Sequence, residues 1–105
     1  MAKLEIGAAA SGTTVRLTTG NEARLTLPET RTAGYSWRIV SAESPVFSVE
    51  DAGFVPASGV GGTGVHRWTL KALRPGRAAL EMVYGRSWEA AAEAKQRFAV
   101  TVVVG

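Results

Sequence analysis

Histidine occurs once, at His66, and cysteine does not occur, so chemistry here must come from one imidazole, carboxylates, amines and guanidinium groups, hydroxyls and aromatic rings. No thiolate nucleophile, disulfide or Cys/His zinc set can be assembled, and no other ligand set suggests a metal. A Ser-His-acid relay has its residue types present, but no nucleophile motif surrounds any Ser. His66 follows a Gly-rich stretch, has no Cys to activate, and reads as a polar residue at the start of a strand. Glu89 and Glu93, one helical turn apart, read as a solvated face. The run Gly59-x-Gly-x-x-Gly64 formally matches the dinucleotide fingerprint. That motif works only between a strand and a helix whose N-terminus takes the pyrophosphate, and here an alternating strand follows. Neither a cofactor nor an enzymatic activity is expected. What remains is recognition: Tyr35, Arg86 and Trp88 stand in polar breaks, where a rigid aromatic or a guanidinium can anchor a partner.

Those breaks are set between strands. Glu22 to Leu27 alternates polar and apolar, and Ser36 to Ser41 does so again after the break L-P-E-T-R-T-A-G-Y-S-W, which spans Leu27 to Trp37. The second break, residues 56–64, is P-A-S-G-V-G-G-T-G, the most Gly-dense part of the chain. Beyond it His66, Trp68, Leu70 and Ala72 share one strand face. Arg74-Pro75-Gly76 turns the chain into Ala78, Leu80, Met82 and Tyr84, again on one face. The third break begins Gly85-Arg-Ser-Trp-Glu89 and runs into an Ala-rich piece to Lys95, which favours helix but is too short to hold one alone. Phe98, Val100, Val102 and Val104 face inward on the last strand. Earlier, Val15 and Leu17 mark a strand, and Val46 to Val49 marks another that Asp51 to Phe54 continues across a bend. Residues 1–11 show little periodicity and read as a frayed or edge segment.

About seven short strands with almost no helix predict an all-β, immunoglobulin-like antiparallel sandwich. Trp37 and Trp68 lie on inward faces and are expected in the core, whereas Tyr35 is either a loop contact or a corner residue. In that topology the three breaks meet at one end and make a binding surface. The length of 105 residues suits one domain with a core large enough to need no staples. Twelve Lys and Arg against nine Asp and Glu give +3, scattered rather than clustered, which steers weakly towards acidic partners and does not signal nucleic acid. No apolar run approaches the ~20 residues of a membrane span. The start, Met1-Ala-Lys-Leu-Glu-Ile, has no apolar signal region. The expectation is a cytoplasmic protein if the chain is complete, and a periplasmic or secreted one if a signal was trimmed.

The three breaks together resemble the chagasin-type inhibitors of papain-like cysteine peptidases, found in protozoan parasites and bacteria. The family carries N-P-T-T-G-Y, then G-x-G-G, then R-P-W or R-P-F, in that order. Here the first motif reads Thr30-Arg31-Thr32-Ala33-Gly34-Tyr35, the second Gly59-Val60-Gly61-Gly62 and the third Arg86-Ser87-Trp88, across roughly residues 12–104. The resemblance implies a wedge of three loops (28–35, 56–64 and 85–90) that enters the cleft of a papain-like peptidase, papain itself or a cathepsin L-like enzyme. The first loop would sit over the catalytic Cys and His while the other two grip the walls, blocking the enzyme reversibly and without cleavage. A monomer binding its target one to one follows. Thr32 and Gly34 match the motif: a small hydroxyl for a narrow cleft, and a turn free of a Cβ.

Four positions depart from the family. Thr30 stands for Asn, Arg31 for Pro, Ala33 for the second Thr, and Ser87 for Pro. A Pro lost from a compatible loop position costs ~0.4–1 kcal/mol, and a lost cleft hydrogen bond a further ~0.5–1.5 kcal/mol. A weaker inhibitor, or one tuned to another peptidase with an acidic pocket for Arg31, is expected. The residues alone also admit a general binding module for carbohydrate or another protein, using the same exposed Tyr and Trp. A single-strand nucleic-acid binder using Trp88, Arg86 and Arg31 is the third class, and its affinity would fall steeply with salt.

Overall fold

The computed structural model describes residues 4–30, 35–42, 46–56, 63–86, 88, 90 and 94–105. Its strands are β1 (Leu4–Ile6), β2 (Thr14–Leu17), β3 (Glu22–Thr30), β4 (Tyr35–Ala42), β5 (Phe47–Pro56), β6 (Thr63–Ala72), β7 (Gly76–Arg86) and β8 (Gln96–Val104). They form two four-stranded sheets in the orders β1-β3-β6-β5 and β2-β8-β7-β4. All seven strands read from the alternation are present, and β1 is added at the edge of the first sheet. The expected edge segment is therefore a short strand followed by a single 3₁₀ turn at Ala8–Ala10. That turn carries the chain from one sheet to the other. Its two flanking strands pair in parallel, β1 with β3 and β2 with β8, while every other pairing is antiparallel.

Alternation explains the core. Ala23, Leu25 and Leu27 of β3 meet Trp68 and Leu70 of β6, and across the gap stand Trp37, Leu80, Met82, Phe98 and Val102, all buried. Each Leu, Val, Met or Phe among them contributes roughly 1.5–3 kcal/mol by leaving water. The two tryptophans expected in the core are there. The expected bend in β5 is a bulge between Asp51 and Gly53, where Gly53 takes φ 100° and its N–H donates to Asp51 Oδ1 at 2.7 Å.

The strands run further towards the three breaks than their polar residues suggested. Pro28 reads as a stop, yet β3 continues through it to Thr30. The reason is positional: β1 covers β3 only from Ala23 to Leu25, so Pro28 keeps its β6 neighbour Val65 while its missing N–H faces no described strand. Likewise Thr63 and Gly64 belong to β6, Pro56 to β5, and Gly85 and Arg86 to β7. The connections reduce to 31–34, 57–62 and 87–95.

Candidate functional site

The register brings these three connections to one end of the sandwich. In the first sheet Thr30 lies opposite Thr63, and Gly64 opposite Pro56. In the second, Tyr35 lies opposite Arg86, and Tyr84 opposite Gln96. The two ends are fastened by one phenol. Tyr84 Oη donates to the Thr30 carbonyl at 2.6 Å and accepts the Thr30 N–H at 3.1 Å, across the gap between the sheets. Trp37 adds a second tie, its indole N–H donating to the Pro28 carbonyl at 2.8 Å.

Above Tyr84 the side chains form a stack of rings and cations. Tyr35 stacks on Tyr84 with centroids 5.6 Å apart, and Trp37 lies tilted against the same ring at 5.3 Å. The Arg86 guanidinium lies 4.8 Å from the Tyr35 centroid and 5.8 Å from that of Trp88. Lys95 Nζ lies 5.1 Å from the Tyr35 centroid. The Arg86 carbonyl accepts from Arg38 Nη1 at 2.9 Å, and the Lys95 N–H bonds the Tyr84 carbonyl at 2.8 Å, so both backbones are held. At the top Trp88 is 72% exposed, a large aromatic surface supported from below by a cation. Such a ring is a ready contact for a partner, because its apolar area leaves water only on binding.

Beneath the first two connections lies a polar chain, buried at Glu29 and His66 and open to solvent at Asp51. Glu29, only 1% exposed, accepts the Trp37 backbone N–H on Oε1 at 2.9 Å. Its two carboxylate oxygens lie 3.1 and 3.2 Å from His66 Nδ1. On its far side His66 Nε2 lies 2.7 Å from Asp51 Oδ1. The imidazole stacks on Trp68 with centroids 4.2 Å apart and planes within 6°. Both ring nitrogens face carboxylate oxygens. His66 is therefore no polar residue at a strand start. It is 5% exposed, with a carboxylate on either side.

Of the residues read from the sequence as the binding surface, Thr30, Tyr35, Arg86 and Trp88 are brought together at this end. Thr30 does so through its backbone, held by Tyr84. Tyr35 settles as a partly buried support packed against the core. Arg31, Thr32, Ala33 and Gly34 of the first connection, Gly59, Val60, Gly61 and Gly62 of the second, and Ser87 of the third lie outside the described residues. So do residues 91–93 of the Ala-rich piece. Four residues were missed: Glu29, Asp51, Tyr84 as a clamp, and Lys95. Glu29 had a signal, since it continues the inward series of residues 23, 25 and 27. Lys95 had none, because nothing in the sequence pairs a lysine at 95 with a ring at 35. Among the described residues no group of His, Asp and Glu could hold a metal ion. No described helix is long and apolar enough to cross a membrane.

The chain matches the model of the chagasin family of peptidase inhibitors, I42, over residues 16–102. The chain belongs to the chagasin family. It is 33% identical over 98 residues to chagasin of Trypanosoma cruzi, covering 86% of this chain and 87% of that one. Among solved structures, the cysteine protease inhibitor EhICP2 of Entamoeba histolytica superposes with a TM-score of 0.83 at 22% identity, covering 97% of this chain and 95% of that one. PbICP-C, solved in complex with falcipain-2, superposes with a TM-score of 0.69 at 15% identity, covering 98% of this chain and 91% of that one. Both are alike in fold. The fold expected from the alternation and the family expected from the three motifs both stand: a peptidase inhibitor of the chagasin family on a β-sandwich, and not an enzyme.

Proposed function

We propose that this chagasin-family chain acts as one domain and one monomer, blocking the cleft of a papain-like cysteine peptidase reversibly with its three clustered connections. The observation that carries the proposal is the convergence of those connections at one end, capped by the exposed Trp88 on its Arg86–Tyr35 support. A fold relative solved in complex with falcipain-2 is consistent with a peptidase as partner. In this mechanism the first connection, with Arg31, Thr32, Ala33 and Gly34, enters over the catalytic centre. The glycines at 59, 61 and 62 let the second lie close along one wall. Arg86, Ser87 and Trp88 grip the other. Trp88 supplies area from a ring already supported in the free protein, so little freedom is lost on docking.

The test is titration into papain with a fluorogenic peptide substrate. Competitive, fully reversible inhibition is expected, weakened roughly tenfold or more by Trp88→Ala, as removal of a central aromatic anchor does. Thr32→Ala is expected to weaken it less, by about the worth of one hydrogen bond, ~0.5–1.5 kcal/mol. A folded protein that leaves papain-like enzymes fully active would overturn the proposal.

A further inference from the structure

The chain Trp37 N–H, Glu29, His66, Asp51, Gly53 N–H, buried at Glu29 and His66 and exposed at Asp51, touches four strands, and they are the four from which the first two connections spring. Glu29 and Trp37 stand on β3 and β4, on either side of residues 31–34. Asp51 and His66 stand on β5 and β6, on either side of residues 57–62. β3 and β4 lie in different sheets, so no ladder hydrogen bond can fix their separation. The Glu29 carboxylate, accepting the Trp37 N–H at 2.9 Å, does so together with the Trp37 indole N–H on the Pro28 carbonyl at 2.8 Å. An apolar residue at 29 would satisfy the inward alternation equally well. Exchanging buried charge pairs for packed apolar groups is often neutral or stabilising, so this network is a poor device for stability alone and a good one for fixing geometry.

We infer that Glu29 and His66 are positioning residues of the inhibitor: they never touch the peptidase, and they set the spacing of the first two connections and hence the tightness of inhibition. This rests on the inhibitor function proposed above.

The test compares inhibition of papain by the wild-type chain, Glu29→Gln, the paired apolar variant Glu29→Leu/His66→Phe, and Val102→Ala. Val102 is fully buried and pairs with Ala78 and Val15, at the opposite end of the sandwich. All are measured below the unfolding range of the least stable. The paired variant keeps a ring to stack on Trp68 and leaves no buried charge at 29 or 66, so it retains the fold if Glu29→Gln does not. Inhibition is expected to weaken roughly tenfold or more in the paired variant, the loss of hydrogen bonds to charged groups. The Trp37 amide is expected to exchange faster in the same protein, while Val102→Ala keeps the wild-type inhibition constant. Wild-type inhibition by the paired variant would overturn the positioning role. Equal weakening by Val102→Ala would also overturn it, by tracing the loss to global stability. A wild-type chain without effect on papain overturns the inhibitor function itself, a result distinct from either.

Discussion

Tyr84 binds both backbone groups of Thr30 with a single hydroxyl, as a neighbouring strand would, but from the opposite sheet. Its loss is therefore not the loss of a ring. Tyr84→Phe keeps the stacking with Tyr35 and leaves a part-buried N–H and C=O without their protein partner. Urea titration is expected to show a destabilisation of roughly 0.5–1.5 kcal/mol, the net worth of a hydrogen bond. Residues of this kind are the least legible in sequence. The alternation placed Tyr84 inward correctly, but nothing in residues 78 to 84 indicates where its hydroxyl reaches. Trp88 and Arg86 were legible because a large aromatic beside a cation in a polar break has no core to serve. Glu29 was hidden by chemistry. A carboxylate next to a Pro reads as the start of a loop, and its partners, the Trp37 N–H and His66 37 positions on, make its burial tolerable.

At the scale of the strands, alternation located seven of eight, and it failed where it had too few residues to work with. β1 has three residues, of which only Ile6 is buried. Strand ends were misplaced where a polar or Gly-rich composition continues an extended backbone. Gly64 is the clearest case. It sits inside β6 because β5 passes so close that a Cβ would meet the Val55 carbonyl oxygen and come within 2.8 Å of Pro56 Cα. The glycine is there for close approach of two strands and not for a turn. Gly64→Ala is expected to push the outer half of β5 away from β6, costing on the order of 1–3 kcal/mol as overpacking does. Faster amide exchange confined to residues paired between 53 and 56 and between 64 and 67 would show it.

For the molecule as a whole, the fold class was legible because two sheets with alternating faces need only one shared core, and the two tryptophans report on it directly. Trp37 and Trp68 are buried between the sheets, whereas Trp88 stands in solvent. Unfolding in urea is expected to be one cooperative transition, coincident in tryptophan fluorescence and far-UV circular dichroism. Trp88→Ala should lower the sloping baseline of the fluorescence curve and leave its midpoint unchanged. Separate midpoints from the two probes would mean that the sheets melt independently.

The parallel pairing of β2 with β8 joins Thr14 to Thr101 and Leu17 to Val104. As the chain leaves the ribosome, β2 is made before β3 to β8 and must wait for β8 before it finds its neighbour. Until then the sheet that carries Tyr35 and Arg86 lacks its outer half, and a bare strand edge is open to other nascent chains. Closing that long loop is an entropic cost met only once β8 has been made, so a slow step is built into the folding of this domain. A chain stalled a few residues short of Val104 would expose half a sandwich to the very peptidases it is built to stop.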